Sequence, residues 1–368
     1  MTSGGLEVLG TDERRPPNVA LRAVLVIALL ATGITVATTR GSTRHAGRPE
    51  TPPTPSPANT ITPEATLGSL YSPRVGRVGD IAVVMAHTTS TPVYGTITTL
   101  DGPPGESPLT FSTETGLAFA AAGLGHDGWF AERVLPPGPV AGALDERDIR
   151  TGSILRSLPL PDAPQSIAVT PRSVWVGLPG ALAAVDPRTG ALHMRAVASG
   201  DVVDLAADPR HDVLFGAIAG PNGSRVVRWR LPDLTIVGQR AIAAGFQATH
   251  LALAPGGLWV SAVNSGASGR IYRLDPATFA TEVTGAMSRT APPETVFAGT
   301  REVWLLTADG AFRCARAHDD RIRLGPVERV PDFTRRNDPT GELVAVGDRV
   351  YVVTEQGTIA YERSVVCP

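Results

Sequence analysis

The chain of 368 residues contains no lysine; all 33 basic residues are arginine. That excludes Schiff-base chemistry and a phosphate-cradling P-loop, both of which need the amine. Cysteine is nearly absent too, with only Cys314 and Cys367. Two cysteines so far apart make neither a CxxC motif nor a Cys/His zinc pattern, so neither a metal nor a cofactor is expected. Aromatic residues are 5% of the chain, and 35 acidic residues balance the arginines. A nucleic-acid partner is therefore not expected, because a phosphate backbone demands a basic face. No G-x-S-x-G, H-E-x-x-H or phosphate-binding glycine loop occurs.

Glycine (39) and proline (33) are abundant by contrast. With many Val, Ala and Thr, they suit short strands joined by many turns. In an exported domain an even cysteine count permits one disulfide between Cys314 and Cys367. It would close a loop of about 50 residues and stabilise by roughly 4 kcal/mol on the chain-entropy model. Two unrelated buried thiols is the competing reading.

One long hydrophobic run is present. Residues 23–39 read AVLVIALLATGITVATT without a charge. Extended to about residue 19, the run is just long enough to cross a bilayer as a helix. Arg14, Arg15 and Arg22 precede it, and Arg40, Arg44 and Arg48 follow, so basic flanks do not orient it. The Thr/Pro-rich stretch from Thr51 to Pro63 cannot pack a core and stays extended. This composition divides the chain into a short cytoplasmic tail (1–18), a transmembrane helix (19–39), a disordered linker (40–66) and a folded domain (67–368). The expected localisation is a bacterial cell membrane, single-pass, with the C-terminal domain outside the cytoplasm. A cleaved signal peptide and a secreted domain is the alternative, although Thr35-Val36-Ala37 is a poor cleavage site.

The long domain repeats. Segments beginning at Ser166, Asp204, His250, Thr295 and Glu342 each read as an alternating apolar strand, a turn, and a second strand with a large residue at its centre. Their centres are Trp175, Leu214, Trp259, Trp304 and Tyr351; with Trp129 of a preceding unit the series is separated by 46, 39, 45, 45 and 47 residues. Val83 lies 46 residues before Trp129 and begins the series. Seven units at this period fit an all-β, seven-bladed β-propeller, in which each sheet buries its faces on its neighbours. Asp148, Asp186 and Asp275 open matching turns after the third strand. There Asp accepts backbone N–H groups, and glycine takes the positive φ where present. The last unit has three clear strands, so its fourth strand would come from Ser364–Cys367 or from residues near 60–75.

The pattern IAVTP, SVWV, LAAVDPRTG resembles the blades of the streptogramin-lyase and YVTN/NHL group of bacterial propellers, from roughly residue 80 to the C-terminus. Lyases of that group carry Pro-Asp-Gly turns and a catalytic histidine. Here the turns read Pro171-Arg172-Ser173 and Pro255-Gly256-Gly257, so the resemblance implies the fold and not the activity.

The register points to one candidate site. Nine residues before each centre stands what should be the first residue of an innermost strand, near the mouth of the channel. These are Ser166, His250, Thr295 and Glu342; in the shorter third repeat Asp204, five residues before Pro209, is given the place. A histidine and two carboxylates converging there would bind a ligand or serve as acid and base. Strand starts are also commonly polar because they meet solvent, so a wet channel mouth is the competing reading. Two functions follow. One is a membrane-tethered binding module engaging an envelope protein, a glycan or a small ligand. The other is a lyase or hydrolase working from the channel mouth.

Overall fold

Strands that alternate apolar residues at a period of two must bury one face against another layer. In the computed structural model the repeats do this by stacking sheet on sheet. Described residues run from 71 to 367, apart from connecting stretches of which the longest are 88–94, 101–108, 135–140, 287–292 and 330–341. The expected tail, membrane helix and linker at 1–66 lie outside the described residues. No helix among the described residues is long and apolar enough to cross a membrane.

Among the described residues the strands form six sheets. Four are meanders of antiparallel strands whose first strands are Ser166–Val169, Asp201–Asp208, Phe246–Ala254 and Pro293–Ala298. A fifth is a three-stranded meander beginning at Glu342–Val346. The largest has eight strands and consists of two such meanders. Their first strands, Tyr71–Val78 and Gly116–Leu124, pair in parallel through Arg77 with Ala122 and Val78 with Gly123.

Every strand centre named from the sequence is buried: Val83, Trp129, Trp175, Leu214, Trp259, Trp304 and Tyr351. The apolar core is divided into clusters, each lying between two consecutive meanders. Trp129 and Leu144 meet Val174 and Val176 of the next sheet. Trp175 and Leu182 meet Leu214 and Trp229 in turn. Val78 and Met85 meet Phe130. The series closes on itself, because Ala82 and Val75 of the first meander pack with Val344 and Tyr351 of the last. A closed circle of radially stacked meanders is a β-propeller, which leaves only short sheet edges.

The C-terminal end differs from one of the two sequence readings. Arg363–Val366 form one helical turn rather than a fourth strand. Of the other expected source, residues near 60–75, those from Tyr71 onward form the inner strand of the first meander, and residues 60–70 lie outside the described residues. The turn is held from the preceding sheet instead. Cys367 is bonded to Cys314, with Cα atoms 5.6 Å apart. Arg316 donates to the Cys367 carbonyl at 2.7 Å. Buried Glu302 accepts from Trp304 Nε1 at 2.9 Å and pairs with Arg363 at 2.5 Å.

The Asp turns are built as the sequence implies. Asp186 Oδ1 accepts from the Arg188 N–H at 2.8 Å, and Asp275 Oδ1 from the Thr278 N–H at 2.6 Å. These bonds hold both carboxyls below their usual range. Gly152 and Gly190 take the positive φ, but the third turn puts Phe279 there at +59°. Its ring is buried edge-on to Phe215, and that packing offsets the backbone penalty.

One polar cluster interrupts the core. Buried Arg147 donates to Asp145 at 2.8 Å and to Glu132 at 3.2 Å, and reaches the Ser112 carbonyl of the neighbouring meander.

Candidate functional site

The strand pairing gives the register of the inner strands directly. Trp175, Trp259, Trp304 and Tyr351 stand opposite Ala168, Ala252, Phe297 and Val344. Two residues before those partners come Ser166, His250, Thr295 and Glu342, so these four are equivalent positions. They are not all strand starts. Ser166 and Glu342 are, whereas the strands carrying His250 and Thr295 begin at Phe246 and Pro293.

The repeat centred on Leu214, which carries Asp204, corrects the sequence register. Leu214 stands opposite Ala207, which makes Leu205, not Asp204, the equivalent residue. Leu205 is buried in the core, and Asp204 lies one position earlier. The count from Pro209 set the position one residue early, because Pro209 directly follows the last paired residue of its strand whereas Pro171 stands one place later; nine residues before Leu214 is Leu205. The inner strands lose register between Ala118 and Ala120, between Val202 and Asp204, between Ala248 and His250, and between Pro293 and Thr295. An extra residue re-aims the neighbouring side chains, and here it delivers Phe119, Asp204 and Thr249 to the same cavity as the expected positions.

That cavity measures about 420 Å³ and is lined from six inner strands or their approaches. Ser166, Asp204, His250 and Glu342 all line it. Thr295 stands opposite Leu306 on its strand, and its side chain lies outside the described set. Arg74 completes the ring of equivalent positions. It lies two residues before Gly76, the partner of Val83, and nine before Val83 itself. Running the same register onto the first unit would have found it. Arg133 and Phe119 carried no such signal: one comes from a second strand, the other from a bulge.

The electrostatics are tightly coupled. Arg74 donates to Glu342 Oε1 at 2.8 Å, with the side chains 33% and 11% exposed. This pair joins the first meander to the last across the point of closure. Burial raises the Glu342 carboxyl, and Arg74 opposes the rise. Asp204 accepts from the Leu251 N–H at 2.6 Å and from the Leu205 N–H at 2.8 Å. Burial nonetheless pushes it up to about 7; Glu342 adds to the rise, while the two N–H groups and Arg74 oppose it. His250 Nδ1 lies 3.9 Å from Asp204 Oδ2, too long for a direct hydrogen bond. Arg74 and Arg133 both sit over the Phe119 ring, with Cζ atoms 4.7 and 3.8 Å from its centroid.

The arrangement suits polar recognition. Ser166 is spent structurally, since its buried hydroxyl donates to the Val202 carbonyl at 3.3 Å and is no free nucleophile. Among the described residues no group of three or more His, Cys, Asp or Glu side chains is placed to hold a metal ion.

The fold and the cavity define a β-propeller with a polar pocket at the convergence of its inner strands. No family model matches the sequence, and no curated protein matches it. Solved structures do match. Hydrazine synthase from Kuenenia stuttgartiensis is similar over 69% of this chain and 77% of its own, at 12% identity and a TM-score of 0.52. BamB from Moraxella catarrhalis is similar over 78% and 83%, at 14% identity and a TM-score of 0.52. A chain of a mitotic checkpoint complex is similar over 86% and 98%, at 13% identity and a TM-score of 0.61. At such identities the likeness carries the propeller fold and nothing of the function.

Proposed function

We propose that this chain is a binding or interaction module: a seven-bladed propeller of the streptogramin-lyase, YVTN and NHL type, whose ligand seat is the pocket at the channel mouth. The count of seven takes the eight-stranded sheet as two blades. Residues 19–39 anchor the chain in a membrane, and residues 40–66 hold the propeller outside the cytoplasm. The Cys314–Cys367 bond fits an oxidising compartment. One observation carries the reading. Residues from the first, fourth, fifth and last meanders, namely Arg74, Asp204, His250 and Glu342, meet around one cavity of ligand size. A propeller chain seated in a multi-protein checkpoint complex supports a protein partner as well as a small ligand.

The test is a thermal-shift screen of the full chain against envelope sugars, metals and small acids. A ligand at 100 times its Kd should add roughly 2.7 kcal/mol. The gain should vanish in a His250→Ala, Glu342→Gln variant; an equal gain in that variant would place the site elsewhere. A screen with no hit would refute the small-ligand seat and leave the role to a protein partner. Protease added to intact cells should release a fragment starting near residue 67. A domain found in the medium without protease would instead mean a cleaved signal peptide.

A second reading is an enzyme. It is favoured by the nearness of His250 to Asp204, whose carboxyl holds its proton near neutrality. Turnover of a candidate substrate, abolished by His250→Ala with the fold intact, would establish it.

A further inference from the structure

Among the described charged side chains of the mouth, Arg133 is the one that internal pairing does not explain. Its guanidinium is half-buried, lies over Phe119, and makes only a long 3.4 Å hydrogen bond to the Pro164 carbonyl. Among the described residues no carboxylate pairs with it. Arg74 rests on the same ring, yet it is already bonded to Glu342. Burial and the neighbouring Arg74 both disfavour the Arg133 charge, but an arginine keeps it. A half-desolvated guanidinium without an anion is held at an energetic disadvantage that a ligand carboxylate would remove.

The remaining lining says which anion. Glu342 neutralises Arg74, so the pocket has about one cation in excess whenever Asp204 holds its proton. That suits a monoanion; a dianionic phosphate would face two carboxyl groups. Around the cation stand Gln165, Gln247 and Thr249, which offer amide and hydroxyl partners to a polyhydroxylated body. Resting on the mouth as the ligand seat, we infer that this pocket binds a hydroxylated monocarboxylate of the uronic-acid class, with Arg133 as the anchor of its carboxylate.

A pH dependence follows. Asp204 faces His250 on its neighbouring strand, Glu342 on the last meander and Arg74 on the first. Deprotonation of Asp204 adds a negative charge beside the incoming carboxylate, so uronate affinity should fall as pH rises from 6 to 8.

Calorimetric titration of the full chain with D-glucuronate, its methyl ester, D-glucose, D-glucosamine and inorganic phosphate tests the inference. Glucuronate should bind about tenfold or more tightly than its ester, glucose or phosphate, the worth of one charge-assisted pair. Arg133→Gln should remove that advantage, and Arg133→Lys should restore it only in part because the planar fork is lost. Asp204→Asn should raise glucuronate affinity at pH 8 and flatten the pH profile. Equal binding of glucuronate and its ester overturns the anion inference, yet leaves the mouth as a ligand seat if His250→Ala abolishes both. Preference for glucosamine, lost in Asp204→Asn, overturns it by reversing the sign. Binding of no probe overturns it outright, and the ester comparison needs no variant to fold.

Discussion

Glu132, Asp145 and Arg147 form a buried cluster with one cation for two carboxyl groups, and all three side chains are at most 3% exposed. Among the described residues, Glu132 Oε2, Asp145 Oδ1 and Arg147 Nε find no hydrogen-bond partner. Burial raises the Glu132 carboxyl above its ordinary 4.5, Asp145 raises it further, and Arg147 opposes the rise. The folded state therefore holds a proton that the unfolded chain releases. Its stabilising contribution is fully present below about pH 4.5 and is lost as pH climbs through the raised value toward and past neutrality. Glu132→Gln removes the need for that proton, and its amide can donate to Asp145. An unmet buried polar group costs about 1–3 kcal/mol, so at pH 8 the variant should exceed wild type by that amount. For a domain of this size the gain is a rise of about 2–6 °C in Tm. At pH 5 the difference should shrink toward zero. Thermal melting of the full chain and the variant at both pH values measures it, and comparing the two proteins cancels the titration of Asp204 and Glu342. A variant that melts below wild type by the same margin at both pH values would refute the reasoning. It would mean that Glu132 works as an ionised partner of Arg147.

Three further perturbations test the fold. Replacing Cys314 and Cys367 by Ser opens a loop of 53 residues and should cost about 4 kcal/mol on the chain-entropy model, read as a lowered Tm. Trp259→Ala empties a buried site between two sheets and should cost about 3–5 kcal/mol by denaturant titration. Gly177→Val would set a Cβ 2.3 Å from Ser166 Oγ and 2.5 Å from the Val202 carbonyl, so it should destabilise by about 1–3 kcal/mol. Unchanged melting of that variant would mean that the two sheets lie farther apart than described.

Much of this architecture was legible because propellers repeat. A large residue must fill the same place between sheets in every unit, so Trp129, Trp175, Trp259 and Trp304 mark the period even at 12–14% identity to other propellers. The Asp turns were readable for a similar reason, since their hydrogen bonds are local. What escaped was set by departures from the repeat. A bulge brings Phe119 to the mouth, and nothing in a strand's composition announces a bulge; Asp204 was misplaced because Pro209 sits one place earlier in its turn than Pro171 does. Arg133 reaches the cavity from a second strand, which a rule confined to inner strands passes over. The last turn, Arg363–Val366, has a strand-like sequence, yet Glu302 and the disulfide hold it as helix from another sheet. Arg74 was within reach of the same count of nine residues and needed only its extension to Val83.

Difference hydrogen exchange on the full chain, with and without the tightest ligand of the screen, tests the mouth site most directly. The expected result is protection at once in segments far apart in sequence, around Arg74, Asp204, His250 and Glu342, where the inner strands converge. Protection confined to outer strands such as Leu192–Ala196 or Thr235–Ala241 would contradict a ligand seat at the channel mouth.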